Sequence, residues 1–474
     1  MLNPHNISPL TLFSVVAFLA VGELLSGTDL YFVAMMATAM ICIGTTYNIL
    51  GGASTIGGLY FSAYALGTLV ISQFAKVLFF EAADQNLEAP KLTIAIYMVF
   101  YLCVMIGAFL FGRIRLHLPK ALEPGTRVQA GMMYTISLIA GLIACSGIME
   151  GSNVQHTSAH SFTIVFANLL LFSIVLAVES CIRDTGGLHS FGIRVFIPVA
   201  ALMVFGFLGT SRSGIVIPNL VYAATCYVNG YHFKRKHYIA AALGIVAVFA
   251  VISPIEMYLR QFRVDTAFWE RNYTILRELA AIPDWSTVTA ASAEANEGNE
   301  GRARYYERSG TFVLSRVSMI RVDSNLISAC SGGYHYGFAA LKNDLMIQIP
   351  HFIYKNKPET NSAGDIGRVT GLNPDDAENT YGSISAISDS YGAFGWWGVV
   401  LVALFAVPAV VIIYESMFDI SRPWGTVALG LLCTVGWGMS MGAMAGLAIR
   451  TPVELLFLSY LIGGIVRMIP SKGD

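Results

Sequence analysis

The stretch FGFLGTSRSGIVIPNLVYAA, residues 205–224, sets two apolar runs on either side of a polar turn, and Arg212 sits in that turn. A guanidinium held at the edge of hydrocarbon is expensive, so the reading decides between two helices joined at a membrane face and an ordinary soluble core. The rest of the chain settles the choice. Of its 474 residues 55% are hydrophobic and 12% charged, with mean hydropathy +0.61. Soluble domains carry about a quarter charged residues, so a polytopic membrane protein is expected.

Runs of about 17 to 25 mainly apolar residues read as spans. They fall near 10–26, 30–50, 56–80, 92–112, 128–148, 162–180, 193–210, 213–230, 238–254, 386–414, 424–446 and 451–469. The first lacks the basic start and small-residue cleavage site of a secretory signal and reads as a retained span. The expected fold is all-α with about twelve transmembrane helices. Residues 1–254 hold nine of them, 255–385 form one large, partly helical loop, and 386–474 hold the last three.

Orientation follows from the basic residues. With the N-terminus inside, the short inner loops and tail hold twelve Lys and Arg: Arg113, Arg115, Lys120, Arg127, Arg183, Arg194, Lys234, Arg235, Lys236, Arg422, Arg467 and Lys472. The short outer connections hold four, Lys76, Lys91, Arg212 and Arg450. That asymmetry places both termini in the cytoplasm and the large loop outside. Glu23, Asp29 and Lys76 then fall at outer span ends, where interfacial placement accounts for them. Charge deep in the spans is sparse, which argues against an ion-coupled transporter. Only Cys330 among the seven cysteines lies in the loop, and no metal-ligand spacing occurs, so neither a disulfide within the loop nor a metal site is expected.

The loop is where chemistry is expected. Helical periodicity runs through RQFRVDTAFWERNYTILRELAAI, RARYYERSGTFVLSRVSMIRVDSNLISAC and YGFAALKNDLMIQIPHFIY, the last apolar enough to dip into the interface. The loop carries ten Arg against three Lys, together with sixteen acidic residues. Planar guanidinium grips phosphate oxygens in bidentate fashion, so the bias favours a phosphate-bearing ligand, while pairing with loop carboxylates is the alternative for any one of them. Arg212, flanked by Ser211 and Ser213, has no carboxylate within thirty residues on its side; snorkelling to headgroups is its alternative. Arg450 is read as a second case, in an outer turn between the last two spans. Candidates for acid–base work are His335, His351, the cluster Asp375, Asp376 and Glu378, and Asp389, where the loop re-enters the apolar phase.

The order Asp389-Ser-Tyr391-Gly-Ala-Phe394-Gly395-Trp-Trp-Gly398 resembles the acidic-x-Tyr-x-x-Phe-Gly-x-x-Gly signature of O-antigen and exopolysaccharide repeat-unit polymerases. IPHFIYKNKP, 349–358, is similar to the Ile-Pro-Arg-x-x-Trp-x-x-Lys-Pro stretch upstream in that family, with His351 and Tyr354 in place of Arg and Trp. GTSRSG matches the Gly-x-Ser-Arg turn those polymerases share with O-antigen ligases. The His-Asn pair of many ligases is absent, Glu378-Asn379 being the nearest element.

The resemblance implies a GT-C-like, metal-independent glycosyltransferase without cofactor at the outer face of a bacterial cytoplasmic membrane. The implied donor is a growing glycan on undecaprenyl pyrophosphate and the acceptor is a lipid-linked repeat unit. A chain-length regulator is an admissible partner, and nucleic acid is not. It places Arg212 and Arg316, then Arg321 and Arg308, on pyrophosphate. Asp389 or Glu378 would be the base, with His335 as runner-up and Tyr391, Lys357 and His351 in support. An O-antigen ligase or protein O-glycosylating transferase is the nearest alternative. A transporter or flippase of lipid-linked sugars is more distant, and a membrane scaffold is third.

Overall fold

The computed structural model describes residues 6–150, 158–208, 212–260, 268–281, 284–286, 288, 319–333, 335–349, 354, 384–435 and 440–469. Their regular structure is helical. The first half contains α1 (Pro9–Leu25), α2 (Leu30–Ile49), α3 (Ile56–Phe79), α4 (Pro90–Phe111), α5 (Arg127–Glu150), α6 (Ser158–Asp184), α7 (Ile193–Leu208), α8 (Arg212–Val228) and α9 (235–260). From the large insertion come α10 (Phe268–Ala280), α11 (Ile320–Cys330) and α12 (Gly337–Gln348). The chain closes with α13 (Ala386–Met417), α14 (Pro423–Val435) and α15 (Met441–Met468).

Seven of these, α2 to α6, α13 and α15, contain a stretch long and apolar enough to cross a membrane, and α1, α7, α8 and α14 are shorter apolar helices. The molecule is therefore a multi-pass helical membrane protein. Helix starts are written locally. Ser8 accepts from the Thr11 N–H with Pro9 at the first position, Asp29 accepts from Tyr31, and Thr55 accepts from Gly58. These caps satisfy donors that lipid could not.

The bundle has two distinguishable ends. At the insertion end, Glu23 is fully buried and accepts from the Thr28 hydroxyl (2.8 Å) and the Ala83 N–H (3.0 Å), so it anchors the α3–α4 connection instead of sitting at an exposed interface. Lys76–Glu81 (3.1 Å) and Lys91–Asp29 (3.2 Å) pair nearby. At the opposite end Glu415 binds the Gly57 N–H and pairs with Arg115, and Ser459 accepts from the Leu122 N–H. Near both ends, close backbone approach depends on glycine. A Cβ on Gly107 of α4 would stand 2.5 Å from the Leu404 carbonyl oxygen of α13, and one on Gly206 of α7 would stand 2.6 Å from the backbone of Gly214 in α8.

The structure corrects the last two expected spans. Residues 424–446 and 451–469 do not meet in a turn at Arg450; α14 ends at Val435, and Ser440 caps the Ala443 N–H to start one helix, Met441–Met468. Pro452 suggests a break, but the π turn Gly446–Arg450 just before it accommodates the missing N–H and the helix continues. Arg450 is thus the tenth residue of a 28-residue helix, about 13 Å along it by helical rise, and its Nε donates to Glu454 (2.6 Å).

Candidate functional site at the insertion end

The site forms where parts of the insertion enter the bundle. The π turn Leu66–Val70 lies near the middle of α3. The Gly67 carbonyl there accepts from the Met319 N–H (3.2 Å), and the Thr68 hydroxyl donates to the Tyr64 carbonyl (2.8 Å) and bonds the Tyr101 hydroxyl. The start of α11 therefore lies at mid-helix depth against α3, and α11 packs against α4 and α13.

Asp323 of α11 is fully buried. Its Oδ1 accepts from the Ser385 N–H (3.0 Å) and the Ser388 hydroxyl (2.6 Å). Its Oδ2 accepts from the hydroxyls of Tyr97 and Ser385. Next to it, Ser324 accepts from the Thr93 hydroxyl and the Ala89 N–H, both at 3.1 Å. One carboxylate and one hydroxyl thereby join α11 to α4 and to the start of α13. A buried carboxyl group is tolerated only when its lone pairs are taken up, and here neutral donors do so.

One turn further along α13, Asp389 is 1% exposed. The Tyr336 hydroxyl donates to its Oδ1, and the Met441 N–H, opening α15, donates to Oδ2 at 2.6 Å. Tyr336 also donates its N–H to the Gly392 carbonyl (3.2 Å). Burial, then the Asp389 charge, push its phenol well above the ordinary value, so it remains a donor. Burial likewise pushes the Cys330 thiol up to about 11 and favours its neutral form. The helix breaks at Phe394–Gly395, with Gly395 at φ +60°, a conformation open to glycine. The break leaves room for exposed His335: a Cβ on Gly395 would stand 3.3 Å from its Nε2. The His335 and Trp396 rings each meet Tyr391 edge-on, at 5.8 and 6.1 Å.

Asp389, Tyr391 and His335 are thus brought together. Arg321 stands half-buried on α11, two residues from Asp323. Arg212 is the first residue of α8, and its backbone alone is described. Glu378, Arg308, Arg316, His351 and Lys357 lie outside the described residues, as do Asp375 and Asp376. Asp323 and Tyr336 were not legible as site residues, although Asp323 had a signal: it falls on the face of α11 that otherwise buries Ile320, Leu326, Ile327 and Cys330. Among the described residues no group of three His, Cys, Asp or Glu is placed to hold a metal ion.

Comparison with known proteins returns nothing: no family profile, no characterised protein and no solved structure matches this chain.

Proposed function

We propose that the protein polymerises lipid-linked oligosaccharide repeat units. The supporting observation is that the Asp389-x-Tyr391-x-x-Phe394-Gly395-x-x-Gly398 stretch folds as a broken helix. Its polar residues gather the His335–Tyr336 turn of the insertion at one end of a lipid-spanning bundle. In this reading that end faces outward, both termini are cytoplasmic, and the architecture is a twelve-span, GT-C-like one. An acceptor hydroxyl attacks the anomeric carbon of the donor glycan, a base takes its proton, and the sugar–phosphate C–O bond breaks to release undecaprenyl pyrophosphate. Arg212, Arg316, Arg321 and Arg308 stabilise the charge that develops on the leaving group. Asp389 has both oxygens engaged, so it acts as a positioning residue for Tyr336 and α15. Exposed His335, or Glu378, meets the acceptor.

Reconstitution with synthetic lipid-linked repeat units tests this. A ladder of lengthened lipid-linked products is expected, together with a loss of about 10²- to 10³-fold in Arg212→Ala. A loss of about 10²- to 10⁴-fold in His335→Gln is expected where its imidazole takes the acceptor proton, and wild-type ladders from that variant would pass the role to Glu378. Transfer only to a lipid A core or a protein acceptor would make it a ligase or protein glycosyltransferase. Unchanged ladders in both Arg212→Ala and Arg212→Lys would remove Arg212 from the mechanism. One observation favours a second reading. The Arg450–Glu454 pair within α15 is the kind of mid-helix charge that transporters use, so movement of lipid-linked sugar across vesicles without bond formation would favour a flippase.

A further inference from the structure

At the end of the bundle remote from the insertion, α5, α6 and α7 enclose a cavity of about 360 Å³ whose lining includes Arg127, Arg183, Arg194, Asp184, Ser180 and Tyr134. Three guanidinium groups reach it from three helices, each from the helix end that lies there. We infer that this cavity binds the phosphate of an anionic ligand, and that the ligand is a phospholipid headgroup or a soluble phosphate compound.

Two of the three guanidinium groups at the cavity are not used within the described fold. Arg183 pairs at 3.5 Å with Glu179, and Asp184 accepts from the Ser180 hydroxyl at 2.9 Å. Arg127 and Arg194 form no ion pair among the described residues, and both are exposed. Their positions are also electrostatically adverse. Arg127 opens α5 and Arg194 is the second residue of α7, so both add positive charge where the helix dipole is already positive. An anion reverses that penalty at both helices together. Tyr134 donates to the Arg194 carbonyl (2.9 Å), which fixes the start of α7 against α5.

The cavity wall suits a lipid. Leu176 and Ala177 form an apolar floor, and exposed Gly131, beside which a Cβ would meet no atom within 4 Å, leaves the cavity open along α5 at that point. Basic pockets between transmembrane helices recognise phosphate-bearing headgroups in this way.

Native mass spectrometry of the full chain in neutral detergent tests the inference, titrating phosphatidylglycerol against phosphatidylcholine, with glycerol 3-phosphate and inorganic phosphate as soluble arms. Saturable binding of phosphatidylglycerol over phosphatidylcholine is expected. Arg127→Gln with Arg194→Gln should weaken it about 10- to 30-fold. Arg113→Gln with Lys120→Gln, at the same end but outside the cavity, should leave it unchanged. The charge-preserving pair Arg127→Lys and Arg194→Lys should retain more binding than the glutamine pair and checks that folding is intact. Tighter binding of glycerol 3-phosphate or phosphate than of the lipid would assign the site to a soluble ligand. Equal binding of both lipids with no soluble binding, or wild-type affinity in the glutamine pair, would overturn it.

Discussion

The two ends of the bundle handle charge in opposite ways. At the insertion end, neutral donors hold two buried carboxylates: Asp323 is held by Tyr97, Ser385 and Ser388, and Asp389 by Tyr336 and the Met441 N–H. At the opposite end, guanidinium groups stand exposed around a cavity, and two of them sit where a helix disfavours them. Charge surrounded by neutral donors fixes helices relative to one another. Charge exposed in an unfavourable local field is more useful to a ligand than to the fold. The insertion end should therefore respond to substitution with lost stability, and the cavity end with lost binding.

The largest effect is expected at Asp323. Alanine there would leave three hydroxyls and one backbone N–H buried without their acceptor, a loss of about 3–5 kcal/mol. Asparagine keeps one oxygen and should lose about 1–2 kcal/mol. Denaturant unfolding in detergent measures both. A loss under about 1 kcal/mol for Asp323→Ala would mean that the network does not hold α11 in place.

Glu123 tests the other end at a half-buried acid. It lies between α4 and α5, where burial raises its carboxyl from 4.5 to about 8, against the Trp424 N–H and Arg422, and with Glu179 and Asp419 adding to the rise. Below pH 4.5 the group is protonated folded or unfolded, and the penalty is absent. Between there and about 8 the unfolded chain loses the proton that the folded chain keeps, so stability falls as pH rises, with a limiting slope of about 1.4 kcal/mol per unit. Above that window the penalty is constant. Glu123→Gln should flatten the profile and be the more stable protein at pH 8. Parallel melting curves for the two proteins from pH 5 to 8 would show that the carboxyl is not held neutral.

The contrast between the ends was only partly legible in the sequence. Hydropathy located α2 and α3 to within a residue or so, because lipid leaves a helix few alternatives. The break near residue 440 was missed because GWGMS carries no charge and its one cap, Ser440, looks like any serine in an apolar run. Asp323 was counted among the sixteen acids of the loop, although the segment that holds it was read as helical and helical spacing sets it on the face of Ile320, Leu326, Ile327 and Cys330. Arg127, Arg183 and Arg194 were read as part of a positive-inside excess, and a count cannot show that separate helices bring three of them to one cavity. The Asp389 motif drew attention to the right junction, while Tyr336, its hydroxyl partner, lies 53 residues away in sequence.

A smaller effect is expected at Gly392. A Cβ there would lie 2.5 Å from Tyr336 Cε1, and the ring cannot retreat while its hydroxyl is held by Asp389. Gly392→Ala should cost about 1–3 kcal/mol and release the His335–Tyr336 turn, seen as faster amide exchange at those residues. Wild-type protection in the variant would show that Asp389 does not hold the turn through Tyr336.

The smallest effect is the one that defines the cavity end. Exposed arginines without an ion pair contribute little to a folded state, and at a helix N-terminus their interaction with the dipole is unfavourable by about 0.3–1 kcal/mol. Arg127→Gln with Arg194→Gln, in neutral detergent, should therefore leave stability within about 0.5 kcal/mol of wild type or raise it slightly, with any gain fading as salt screens the dipole. Thermal melting at low and high ionic strength measures this. A loss above about 1 kcal/mol would mean that these guanidinium groups support the fold as Asp323 does, and the distinction between the two ends would fail at the residues that define it.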